Sequence, residues 1–145
     1  MTKNELIKDA ARLRQPSEEA ARTFSAHSHE LLSELNRWLE QRDDLKKMIG
    51  KENLAMMRDN HANQMRFMES VFKAFDPQVF VETLLWVFRA YRSHGFQLAY
   101  WPAVLNALHE IIKEKLPDQV QDEILPYYTW IQLHIPQLAN LSEPV

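Results

Sequence analysis

The chain contains no cysteine, which excludes disulfides and thiolate metal sites and suits a reducing, cytoplasmic setting. Glycine is almost as scarce. Gly50 and Gly95 are the only 2 in 145 residues, whereas a sheet protein of this length spends several on hairpin turns. Long apolar runs are also lacking: the stretch from Val79 to Phe88 is broken by Glu82 and Thr83 and falls far short of a membrane span. The N-terminal segment MTKNELIKDAARLRQ has no apolar core of the kind a signal peptide carries. With 17 basic and 20 acidic residues and a formal charge of −3, no basic stripe offers counterion release to a nucleic-acid backbone.

The signatures of common catalytic sites are missing too. None of the 13 glutamates has a histidine three residues on, as a carboxylate-bridged metal site in a helix bundle needs. There is no His-Glu-x-x-His, phosphate-binding glycine loop or Gly-x-Ser-x-Gly turn. His27 and His29 stand two residues apart, which turns their imidazoles about 200° from one another on a helix. The chemistry therefore points to binding or sensing, without catalysis and without a metal.

What remains is 46% hydrophobic residues, enough for one sizeable core in a single all-α domain spanning residues 1–145. Residues 1–15 read as an N-terminal helix or arm, ended at Pro16, and Ser17-Glu18-Glu19 reads as an acidic helix start. From Pro16 to about Asp43, Phe24, Leu31, Leu35, Trp38 and Leu39 recur at helical spacing, a stripe suited to a core or to a dimer seam. Leu54, Met57, His61, Met65, Met68, Phe72 and Phe75 continue that period until Asp76-Pro77, and four of the six methionines fall here. Asp76 and Pro77 then open a helix bearing Phe80, Leu84, Val87, Phe88 and Tyr91, with Trp86 pointing elsewhere and Gly95 as its left-handed cap. A helix from about Ala99 to Leu116 carries Trp101, Val104, Leu105, Leu108, Ile111 and Ile112. The last helix runs from Val120 to Leu138, with a kink expected near Glu123 because Pro126 removes a hydrogen bond. Residues 142–145 read as a frayed tail.

The order of the last four helices, with SHGFQLAYWPAVLNAL joining two of them, resembles the E, F, G and H helices of the globin fold over roughly Leu54 to Leu138. In haem-binding globin sensors a histidine four residues before the equivalent glycine holds the iron, and here that position is Tyr91. The pattern is similar to the non-haem globin-like sensor domains of RsbR-type stressosome proteins and of stand-alone relatives that bind fatty acids. RsbR-type proteins usually continue into a STAS output domain, and both a stand-alone sensor and a fragment of a larger one stay open for a chain given to Val145.

The resemblance implies a globin-like bundle of about six helices that binds a small apolar or amphipathic ligand, such as a fatty acid, or a signalling protein partner. Occupancy would pass through a homodimer, formed by the Phe24 to Trp38 stripe or by the last two helices. His61, 30 residues before Tyr91 on the presumed E helix, would face the same pocket. The implied ligand-binding set is His61, Met65, Met68, Phe88, Tyr91 and Trp101, with Arg92 near a polar head group. No cofactor is expected. A haem-binding sensor using Tyr91 or a histidine is the alternative, since tyrosine can ligate haem iron, and a structural helical adaptor is the third reading.

Overall fold

The computed structural model describes residues 1–143, which are mostly helical with no strand among them. The all-α class is therefore observed, with eight helices among the described residues where six were expected. They are α1 (Lys3–Ala10), α2 (Glu18–Glu40), α3 (Leu45–Ile49), α4 (Leu54–Lys73), α5 (Pro77–Ser93), α6 (Tyr100–Lys115), α7 (Asp118–Leu133) and α8 (Ile135–Leu141).

The boundaries follow from local chemistry. Thr2 and Glu5 form a reciprocal capping box that starts α1. Ser17 Oγ accepts from Ala20 N at 3.1 Å to start α2, and Asp76 accepts from Gln78 N and Val79 N at 3.0 and 3.2 Å to start α5. At the other end of α5, Gly95 has φ +97°, Gly95 N bonds Arg92 O and Phe96 N bonds Tyr91 O, each at 3.0 Å. Those are the two bonds of a Schellman motif, and the accompanying apolar contact is Tyr91 against Phe96, with ring centroids 5.2 Å apart.

Three expectations need correction. The segment between α2 and α4 holds the five-residue helix α3, too short to show a period. The last helix is two: Pro126 stays inside α7, while the break falls at His134, with Pro136 in the first turn of α8. The expected frayed tail does not begin at Ser142, which is buried and donates to Leu138 O, and Pro144 and Val145 lie outside the described residues.

The core is built around α2, which packs mainly on α4 and α6. Phe24, Leu31, Leu35 and Leu39 are all 1% exposed or less, each worth about 1.5–3 kcal/mol of burial. That stripe is spent inside the chain, so it is not available as a dimer seam. Phe24 meets Phe72 edge-on at 4.8 Å, and Phe72 meets Tyr127 at 5.2 Å. The connection between α1 and α2 is strapped across the bundle's end. Gln15 donates to Phe72 O and accepts from Phe75 N, both at 2.7 Å, and Tyr127 Oη donates to Arg14 O at 2.6 Å.

α5 is held differently. It packs on α1 and α8, and only sparsely on α4. Lys3 pairs with Glu82 at 2.5 Å on one side. On another, Arg92 donates to Ala139 O at 2.9 Å and Arg89 to Leu141 O at 3.4 Å, adding donors to carbonyls at the end of α8.

Candidate functional site

The residues singled out in the sequence divide between core and surface. Met65, Met68, Phe88 and Trp101 are buried at 4%, 1%, 0% and 3% exposure. Phe88 and Trp101 stack at 4.3 Å with their planes 19° apart, so those two rings fill one another's space. Tyr91 is half-buried at the end of α5.

His61 is wholly buried. Its Nδ1 donates to Asn36 Oδ1 at 2.6 Å, and its ring lies parallel to Tyr100 at 6.0 Å. Nε2 is buried without a partner, and desolvation pushes the imidazole pKa down to about 4 against the opposing pull of Glu40. His61 is therefore neutral near pH 7, with its proton on Nδ1 and a bare acceptor at Nε2. Beside it, Asn60 Nδ2 donates to Tyr100 Oη at 2.7 Å, and burial lifts the Tyr100 phenol well above its usual range. Asn36, Asn60, His61 and Tyr100 thus join α2, α4 and α6 through polar groups inside an otherwise apolar core.

One edge of this cluster reaches the surface. Where α4 and α5 diverge, a groove of ≈ 150 Å³ opens between them. α4 contributes Asn60, Asn63, Gln64 and Phe67, which follow one another at the i, i+3, i+4, i+7 spacing of a single helix face. α5 contributes Thr83, Trp86, Val87 and Tyr91. Trp86 is 66% exposed at the rim. No charged side chain lines the groove, and burial raises the Tyr91 phenol above its ordinary value while Asn63 acts against the rise.

Of the six predicted site residues, the groove takes in Tyr91 alone; its neighbour Asn60 stands there in place of His61. Sequence reasoning followed the apolar period of α4 and passed over the amide stripe beside it. That stripe was the available signal, since three uncharged amides on one helix face have little to gain from solvent that charged residues would not gain more. Arg92, expected near a polar head group, is turned to α8 instead.

At ≈ 150 Å³ the groove is smaller than a haem, and Tyr91, which the resemblance would set at an iron, packs against Phe96 in the helix cap. No group of three or more potential metal ligands occurs among the described residues. No helix among them is long and apolar enough to cross a membrane. No family model matches this chain, and no curated protein or solved structure shows significant similarity to it.

Proposed function

We propose that this is a non-catalytic, globin-like sensor or regulatory domain that binds a small apolar or amphipathic ligand between α4 and α5 and passes on its occupancy through a helical dimer. The observation that carries the reading is the uncharged groove whose floor residue, Asn60, is also hydrogen-bonded to Tyr100 in the core. A ligand touching Asn60 acts on a buried polar cluster spanning α2, α4 and α6. On the other side of the groove, α5 is fastened to α1 and α8, so displacement of its Thr83 to Tyr91 face is felt at both of those helices.

With the α2 stripe spent internally, the outer face of α7 offers an apolar surface for a second copy. Leu125, Pro126 and Leu133 line a shallow apolar depression there with Leu13, and Leu133 is 69% exposed. The test is native mass spectrometry of the protein as purified, paired with light scattering at tens of micromolar. A co-purifying small molecule on a dimeric protein supports the reading. A ligand-free monomer whose melting temperature no added apolar compound shifts would leave the helical adaptor as the better account.

Haem is the alternative ligand and is separated by colour. A Soret band with close to one haem per chain would replace the non-haem reading, and would require α4 and α5 to move apart and Tyr91 to leave Phe96.

A further inference from the structure

The α4–α5 groove has a composition that narrows its ligand. We propose that it takes an uncharged molecule with a single aromatic ring and a hydrogen-bond donor, of the phenol or indole class, and that the Asn60 carbonyl oxygen receives that donor. This rests on the ligand-binding reading above and names the chemistry of the same site.

Size comes first. The groove measures ≈ 150 Å³, and an apolar cavity of about 150 Å³ holds one benzene-sized ring. A long acyl chain or a fused macrocycle would extend out of it into solvent. Shape follows from the walls, because Phe67, Trp86 and Tyr91 present aromatic faces and edges that favour a flat aromatic guest.

Charge is decided by what the groove lacks. No Lys, Arg, Asp or Glu lines it, and an ion entering would lose hydration with no counter-charge to replace it. The two arginines nearest along α5 are committed elsewhere, Arg92 to Ala139 O and Arg89 to Leu141 O. On α4, Arg66 is bonded to Oδ1 of the lining residue Asn63, so a carboxylate would find a cation only by breaking one of these bonds.

The donor requirement comes from Asn60. It is 2% exposed and lines the groove, and its amide nitrogen is turned to Tyr100 Oη at 2.7 Å. That orientation leaves the carbonyl oxygen as the end it offers to a guest. A ligand O–H or N–H meets an acceptor there, whereas a bare ring would cover that oxygen and strip it of water without giving it a partner, which is penalised.

Phenol, toluene and benzoate share one ring and differ in these two properties. Each is titrated into the full chain and followed by ¹⁵N–¹H NMR at the Asn60 and Asn63 side-chain amides and the Trp86 indole N–H. Phenol should shift all three signals saturably, toluene should bind about tenfold more weakly, and benzoate should leave them unmoved. Thr83→Trp, which places a ring in the groove from a half-buried wall position, should abolish the phenol response while the circular dichroism stays helical. Val87→Phe replaces it if that variant does not fold. Benzoate binding as well as phenol, toluene binding as well as phenol, or phenol shifts mapping away from the groove would each overturn the proposal. Decanoate is the fourth titrant. If it moves the groove signals and phenol does not, the ligand class falls and the sensor reading stands; if none of the four moves them, both fall.

Discussion

The two long faces of α4 make an instructive pair. One carries Met57, Met65, Met68 and Phe72, all 4% exposed or less, and is closed against the rest of the core. The other carries Asn60, Asn63, Gln64 and Phe67 and faces a gap toward α5. Thioethers and phenyl rings gain by excluding water and fill irregular space, so the first face collapses onto its neighbours. Side-chain amides each need partners once buried, and they find them in polar groups at the edge of the core, Asn60 in Tyr100 and Asn63 in Arg66. A single helix thus builds core on one side and leaves a groove on the other, through the choice of uncharged side chain.

The contrast predicts unequal sensitivity. The largest effect should come from Phe24→Ala on the closed side, where a fully buried ring packed edge-on to Phe72 is lost. Urea unfolding should show destabilisation of about 3–5 kcal/mol.

Next is the pH response of His61, which sits between the two faces. Its folded pKa is about 4 against 6.5 for the free side chain, so the unfolded chain binds the extra proton first. The stabilising contribution is whole above pH 6.5 and is lost as pH falls toward 4, amounting to about 3 kcal/mol at the acid end. Stability measured from pH 7 to pH 4 should fall more steeply for the parent than for His61→Gln; parallel curves would remove His61 as the cause.

A smaller loss, about 1–2 kcal/mol in thermal melts, is expected for Gln15→Ala, which deletes two hydrogen bonds to the backbone around the end of α4. The smallest belongs to the open side. Trp86→Ala should change stability by no more than about 0.5 kcal/mol, because the side chain is 66% exposed. A cost comparable to that of Phe24→Ala would show that the groove is closed in solution and would dissolve the comparison.

The parts of the fold legible in the sequence are those where one residue type has one physical use. Asp76-Pro77, Ser17 and Gly95 each marked a helix end that the structure places there. Length limits what periodicity can show, so α3 was invisible and the break at His134 was hidden by apolar residues continuing on both sides of it. Apolar periodicity also identified buried positions well, yet it overreached at Leu54, which is 37% exposed at the start of α4. The candidate site was poorly legible for a related reason. A groove is defined by where two helices part, and the amide stripe of α4 marks one wall of it without recording how far away the other wall stands.

The attachment of α5 has a consequence for the order of the chain itself. Its contacts to α1 and α8 come from opposite ends of the sequence, at Lys3–Glu82 and Arg89–Leu141. Glu82 and Arg89 are seven residues apart, about 10 Å along a helix. Those two ends therefore lie close enough for a short flexible linker to span, and the polypeptide could be reopened elsewhere. The exposed turn around Lys51 and Glu52, between α3 and α4, is the natural place for new termini in a circular permutant. Such a permutant would keep both clasps on α5 while making the helices that grip it neighbours in sequence.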